Sequence, residues 1–278
     1  MAFKTILVHL DSSRRCAERV GLAALWARVH GGRLVGLVPT GLLDGSIPAE
    51  ALRRGAPDFI SASADFLRGR AERISREFRE QLGDSVPHEV RVVDAPAVDA
   101  LVRHGRTSDL VVLGQHDADD PECESTQEDL PLRVLMEAGV PLLIVPFAGH
   151  FAQIPQAAVL AWDGSREAAA AIRSAVPTLQ LMRSVTVLSF GRPDEVAGDA
   201  LLMPPLLQFL RSHGIRANGR REVSDIDTGD ALLSRLTDLG ADLLVMGGYG
   251  HSRFRALLLG GATRRILGSM TVPVFMAH

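Results

Sequence analysis

The sequence predicts an α/β fold in which two doubly wound parallel sheets, each of five strands, follow one another along the chain. Two observations support this prediction. Short continuous runs of Val, Ile and Leu alternate with helical patterns, and such runs are typical of parallel strands that helices cover on both faces. The whole pattern also occurs twice in the same order, which indicates an internal repeat.

Three segments of the first half return in the second half. The matched pairs are Ile6–Ser13 with Val159–Ser165, Asp109–Gly114 with Asp242–Gly247, and Val140–Val145 with Val272–Ala277. Because the order of the segments is unchanged, we interpret the chain as a duplication with domains at residues 1–149 and 154–278. We expect the two domains to pair through their last strands.

The apolar runs and helical patterns place the elements as follows. In the first half, strands are predicted at 4–10, 33–38, 87–93, 109–114 and 141–146, and helices at 14–30, 58–82, 95–106 and 129–138. In the second half, strands are predicted at 157–162, 184–190, 217–223, 242–246 and 273–277, and helices at 165–176, 195–213, 228–239 and 260–268. We expect Pro204 and Pro205 to kink or split the second of these last helices. Residues 39–57 are either an ordinary surface loop or a lid over the first half's cleft.

Composition excludes several classes of function. The net charge of −3 gives no reason to expect nucleic acid or an anionic membrane as a partner. Two cysteines exclude a disulfide scaffold and a four-cysteine zinc site. Lysine occurs once, at Lys4, where the surroundings fit neither a phosphate-binding P-loop nor a Schiff base. No apolar run is long enough to span a membrane or to form a signal peptide, so we expect a cytoplasmic protein.

A glycine-rich stretch, Met246–Arg265, is the most informative part of the sequence. It starts at the end of a buried strand and ends at a helix start, where glycines permit close backbone approach and N–H groups attract anions. Four arginines and no acid lie between His251 and Arg265, which favours a negatively charged ligand. The stretch therefore either binds phosphate or merely ends a strand and turns a loop.

The spacing Gly247-x2-Gly250-x9-Gly260 resembles the universal stress protein family, whose ATP-binding members carry G-x2-G-x9-G-[S/T]. The acid and small residues after an early strand and the final Val-Pro strand agree with this resemblance. It covers nearly the whole chain as two tandem domains and implies an adenine nucleotide α-hydrolase-like fold. It also implies a stress-response role, pairing of the two domains, a homodimer of such chains, and ATP, ADP or AMP as ligand, with or without Mg.

The resemblance also implies which residues of the second half would hold the nucleotide. They are Ala161, Trp162, Asp163, Phe190, Met246, Gly247, Gly250, His251, Ser252, Arg253, Gly260, Gly261, Ala262 and Thr263. Asp163 matches the acid near the ribose, although it also suits helix capping or a magnesium ion. Gly261 departs from the family pattern because it stands where Ser or Thr is usual, so a hydroxyl contact is lost and Thr263 replaces it only in part.

The corresponding loop of the first half has the opposite character. Residues 115–129 contain no glycine, lysine or arginine and carry seven acids, so they would repel a triphosphate. We expect this domain not to bind ATP through the loop, which is then a solvated acidic segment, a partner surface or a weak cation site. His116 and Cys123 are weak metal-ligand candidates. We interpret Cys16 as a partly buried structural cysteine.

These observations predict a protein that acts by nucleotide-dependent signalling or partner binding, with no catalytic residue assigned. Two alternatives stay open. One is a slow ATP-hydrolysing enzyme at the same site, and the other is a scaffold in which Gly261 has disabled nucleotide binding.

Overall fold

The computed structural model describes residues 2–41, 57–120, 129–191, 203–248 and 261–278; the side chains of 57–63 and 191 are left out of the account. The chain divides into two units, Ala2–Ala138 and Gly139–His278. Each unit is a parallel sheet flanked by helices, as the alternating pattern predicts.

The first unit contains four strands and four helices. Its strands are β1 (Thr5–His9), β2 (Arg33–Pro39), β3 (His88–Val93) and β4 (Leu110–Gly114). Its helices are α1 (Cys16–His30), α2 (Pro57–Leu82), α3 (Ala97–Gly105) and α4 (Leu130–Ala138). The strands lie in the order β3-β2-β1-β4, with β1 parallel to both of its neighbours.

The second unit contains six strands and four helices among the described residues. Its strands are β5 (Leu142–Val145), β6 (Ala157–Ala161), β7 (Ser184–Gly191), β8 (Ala217–Val223), β9 (Leu243–Gly247) and β10 (Val274–Ala277). Its helices are α5 (Arg166–Leu179), α6 (Met203–Ser212), α7 (Thr228–Asp238) and α8 (Gly261–Ser269). The strands lie in the order β5-β10-β9-β6-β7-β8.

The strand that the sequence assigns to the end of the first domain, β5, lies in the second unit. It pairs antiparallel with β10, where Leu143 is opposite Phe275. The other described pairings of the second unit are parallel. The described residues thus contain the ten strands that the sequence predicts, and most of their pairings are parallel, as expected for the α/β fold.

The central strands form the core of each unit. Ile6, Leu7 and Val8 of β1 are fully buried, as are Leu244 and Val245 of β9. Continuous apolar runs of this kind are what a sheet covered on both faces requires.

The prolines behave differently from the expectation. Pro204 and Pro205 lie in the first turn of α6, where a missing N–H costs no intrahelical hydrogen bond, so they do not split the described helix. Instead, Pro177 lies inside α5, which continues to Leu179. The helices of the described ranges include none that is both long and apolar enough to cross a membrane.

Candidate functional site

Each unit has a crevice at the point where the order of the strands in the sheet reverses. From β6 the chain moves outward through β7 and β8, and then returns to the other side of β6 to form β9. Ligands of doubly wound sheets bind at this point, beyond the carboxyl ends of the strands. In the second unit the crevice lies between the ends of β6 and β9, where the predicted residues Ala161, Met246 and Gly247 are found.

The ends of β6 and β7 are held together just below this crevice. Ala161 is opposite Leu188, and the next amide, that of Trp162, donates to the Leu188 carbonyl at 2.8 Å. Phe190 lies two residues further along β7, opposite Glu222. The structure thus brings the β6 and β7 candidates to one edge of the sheet, as the family resemblance implies.

A tight turn connects β6 to α5. Asp163 is exposed, and its Oδ1 accepts a hydrogen bond of 2.9 Å from the Ser165 amide, while Gly164 takes a positive φ of 76°. Ser165 is the N-cap of α5, because its Oγ accepts from the Ala168 amide at 3.1 Å. Asp163 therefore shapes the turn, and Ser165 rather than Asp163 caps the helix.

Gly247, the first glycine of the predicted loop, packs directly against the start of α5. A Cβ at this position would lie well under 3.0 Å from the Ala168 amide nitrogen and 2.6 Å from the carbonyl carbon of Glu167. The residue is glycine for a packing reason, whether or not a phosphate binds. This reason was absent from the sequence argument, although the serine cap and the alanine run of α5 both hint at a closely packed helix start.

Glu167 is a buried acid beside Gly247 that the sequence argument did not single out. Only 2% of its side chain is exposed, and its Oε1 lies 2.5 Å from Nε of Arg166. Burial raises the pKa of Glu167, but the hydrogen bond from Arg166 and the nearby charges of Arg166 and His278 outweigh it, so the pKa is below its ordinary value. A carboxylate is therefore present at this helix start.

Trp162 carries a buried polar group that has no partner among the described residues. Its indole Nε1 has no hydrogen-bond acceptor within the described part of the chain. A buried N–H in this condition costs free energy unless another acceptor reaches it. A ligand at the end of β6 is one such acceptor.

The first residue of α8, the helix after the glycine-rich stretch, is exposed and has free space around its Cα. Gly261 is exposed, and a Cβ built on it has no heavy atom within 4 Å. Ala262 is half-buried and Thr263 is 5% exposed. Arg265 is paired with Asp230 at 2.5 Å, so its charge is already partly neutralised.

Five predicted nucleotide-binding residues lie outside the described residues. They are Gly250, His251, Ser252, Arg253 and Gly260.

The same crevice of the first unit is filled by charged side chains. Arg19 of α1, 3% exposed, lies 2.7 Å from Oδ1 of Asp11 and donates from Nε to the His9 carbonyl at 2.8 Å. Asp11 also accepts from the Ser13 amide at 3.0 Å. The sequence argument singled out none of these residues as a cluster, because nothing in their spacing shows that they meet.

The buried cluster shifts the pKa of each of its members. The pKa of His9 is lowered to about 4, because burial and, to a smaller extent, the charge of Arg19 outweigh the opposing effect of Asp11. Burial alone raises the pKa of Asp11, but Arg19 and His9 hold it below its usual range. Burial also raises the pKa of the Cys16 thiol, which agrees with a structural cysteine. The cluster is therefore an Arg–Asp ion pair beside a neutral histidine.

The acidic loop after β4 is only partly solvated. Asp119 is exposed, but Asp120 is buried, and its Oδ2 accepts from the Arg14 amide at 2.7 Å. The expectation of a solvated acidic segment is therefore wrong for Asp120. Residues 121–128, including Cys123, lie outside the described residues.

Comparison with known proteins finds a family match in the second half of the chain. Residues 156–278 match the model of the universal stress protein family. No curated protein matches the chain.

Solved structures resemble almost the whole chain. A universal stress protein from Archaeoglobus fulgidus covers 99% of this chain and 97% of its own, with 16% identity and a TM-score of 0.77. A putative universal stress protein from Pseudomonas aeruginosa covers 99% and 93%, with 17% identity and a TM-score of 0.58. A functionally unknown protein from the same organism covers 99% and 92%, with 16% identity and a TM-score of 0.57. Residues 156–278 therefore match the universal stress protein family, and over almost its whole length the chain has the fold of a solved universal stress protein.

Proposed function

We propose that the second unit binds an adenine nucleotide, ATP or its products ADP and AMP, at the crevice between β6 and β9. Nucleotide binding there would change a surface to which a partner protein binds. Such a signalling role is consistent with the match to the universal stress protein family. The observation that carries the proposal is the buried indole Nε1 of Trp162, which has no acceptor in the described ranges and lies at the end of β6, where sheets of this topology bind ligands.

The residues that follow the first two positions of α5 support the proposal. After Glu167 the helix continues with four alanines, Ala168–Ala171, so none of these four positions carries a long side chain. In the first unit the corresponding helix carries the buried Arg19. The contrast favours the second unit as the one that takes a ligand.

Phosphate groups at this site would be held mainly by backbone N–H groups. The single lysine lies in the first unit, and Arg265 is paired with Asp230. Backbone amides at the start of α8 are suited to this role, because a helix N-terminus attracts anions. Gly261 is the first residue of that helix and is exposed.

The antiparallel pairing of β5 with β10 supports pairing of the two repeats through their last strands. Association of two such chains into a homodimer is a separate expectation, which analytical ultracentrifugation tests.

Fluorescence titration tests nucleotide binding directly. The chain has two tryptophans, and Trp26 is fully buried, so a Trp26→Phe variant leaves Trp162 as the reporter. We expect ATP, ADP or AMP to change the emission with a dissociation constant below about 1 mM. No saturable change with any of the three, together with no nucleotide in freshly purified protein, would establish the scaffold alternative instead.

A serine at position 261 tests where the phosphates lie. Because nothing lies within 4 Å of a Cβ at Gly261, the Gly261→Ser variant restores the family's hydroxyl without a clash. One added hydrogen bond to a charged group predicts roughly tenfold tighter ATP binding. Gly268→Ser in the last turn of the same helix is the matched control, since its Cβ also meets nothing. Equal affinities for the two variants would place the phosphates elsewhere.

Measuring ATP hydrolysis distinguishes the enzyme alternative from nucleotide binding without turnover. Purified protein is incubated with Mg-ATP beside the Gly250→Asp variant, which places a negative charge in the predicted loop. Hydrolysis well above that of the variant would replace the binding interpretation with a slow ATPase.

A further inference from the structure

The loop after β4 is fastened to the start of α1 by one buried carboxylate. Asp120 has a fully buried side chain, and its Oδ2 accepts from the backbone amide of Arg14 at 2.7 Å. The guanidinium of Arg14 lies further away, with Nε 3.6 Å from Oδ1, and that side chain is 65% exposed. The backbone hydrogen bond is therefore the main contact, because exposed ion pairs contribute little.

This carboxylate lies where the turn enters a helix. Arg14 directly precedes Arg15, the N-cap of α1, and Arg15 forms no side-chain capping hydrogen bond. The positive end of a helix favours a negative charge nearby. In the first unit, that charge is supplied by the protein's own Asp120.

A second side chain fills the crevice itself. Arg19 extends from the first turn of α1 to the end of β1, where it contacts the His9 carbonyl and Asp11. It also reaches the end of β4, because a Cβ on Gly114 would lie under 3.0 Å from Nη1 of Arg19. One arginine thus spans both strands that border the crevice.

We propose that the first unit is held closed by its own charges: Arg19 and Asp11 fill the crevice between β1 and β4, and Asp120 fastens the described residues 115–120, which follow β4, to the turn that leads to α1. The crevice becomes accessible from outside only when the Asp120 carboxylate leaves the Arg14 amide. This autoinhibitory contact concerns the first unit alone and does not depend on nucleotide binding by the second.

The reactivity of the Cys16 thiol can be used to measure opening of the crevice. It lies in the first turn of α1, where it contacts Arg19, and burial raises its pKa. In a Cys123→Ser background it is the remaining cysteine. Because Cys16 is partly buried, we expect opening of the crevice to raise its rate of reaction with Ellman's reagent above the rate in the parent protein.

Two neighbouring acids give a matched comparison. Asp120→Asn removes the charged acceptor of the Arg14 amide, and we expect Cys16 to react about ten- to a hundredfold faster, as for loss of a hydrogen bond to a charged group. Asp119→Asn removes the same charge from the same loop, but Asp119 is exposed, so we expect the parent rate. Equal rates in the two variants would overturn the proposal.

Hydrogen exchange of the unmodified protein supplies an independent measurement if Asp120→Asn does not fold. The Arg14 amide lies outside every helix and strand, yet we expect it to be protected, because Asp120 is its acceptor. Free exchange of this amide in the parent protein would show that the carboxylate does not close the unit.

Discussion

Gly247 offers the sharpest test of how the second unit is packed. A methyl group at this position would lie well under 3.0 Å from the Ala168 nitrogen and 2.6 Å from the Glu167 carbonyl carbon, whereas ordinary contacts begin near 3.4 Å. Both neighbours are backbone atoms, so no side-chain rotation can relieve the clash. The start of α5 must move away from β9 by nearly an ångström.

The cost of Gly247→Ala follows from that movement. Overpacking of this kind costs about 1–3 kcal/mol. Displacing the start of α5 also weakens the Ser165 cap, which is worth about 1 kcal/mol. Replacing glycine by alanine also stabilises the folded state by about 0.4–1 kcal/mol, because it reduces the conformational entropy of the unfolded chain. We therefore expect the free energy of unfolding to fall by about 2 kcal/mol.

Urea unfolding measures this change. In the Trp26→Phe background, Trp162 reports unfolding of the second unit, and a loss of 2 kcal/mol predicts a midpoint lower by about 1 M with an unchanged slope. Gly268→Ala is the control, because its Cβ meets nothing and alanine favours a helix, so its midpoint should stay or rise slightly. If Gly247→Ala is as stable as the parent, close packing does not explain this glycine, and the reasoning fails.

Three further predictions concern single side chains. Because the pKa of His9 falls from 6.5 to about 4 on folding, the unfolded chain binds a proton first as the pH drops, so stability should decrease between pH 6.5 and 4. The loss is about 3 kcal/mol, and urea midpoints of the parent and His9→Gln across this window measure it. Ser165→Ala should cost about 1 kcal/mol in the same urea assay, since the Ala168 amide loses its acceptor. Gly114→Ala should lower the melting temperature of the first unit, because its methyl group collides with the buried Arg19; a melting temperature equal to that of the parent would contradict the described position of that side chain.

Much of the fold follows from local pattern. The alternation of apolar runs with helical patterns correctly predicted the parallel strands and their helices, since burial on both faces leaves an unbroken apolar run. The end of α5 was placed too early at Pro177, because a proline near a helix end is tolerated when packing holds the last turn.

The residues of the candidate site could be predicted only in part from the sequence. Asp163 and Gly247 were predicted through the family resemblance, and the structure places both at the carboxyl ends of neighbouring strands. Glu167 was missed, because an acid in the first turn of a helix is ordinary in sequence. Its burial against Gly247 depends on how closely α5 approaches β9.

By itself, the sequence determined the duplication, the α/β class and the unequal character of the two loops, because these depend on residue type and on spacing along the chain. A meeting of the two last strands was expected, but only the tertiary structure decided that β5 and β10 pair antiparallel, that Arg19 fills one crevice, and that Asp120 meets the Arg14 amide across 106 residues of sequence. Such contacts are set by the order of strands in the sheet, and strand order is a property of the folded chain rather than of any local pattern. Two copies of one pattern thus folded alike, while Arg19 lies in the crevice of the first unit and alanines occupy the matching helix start of the second.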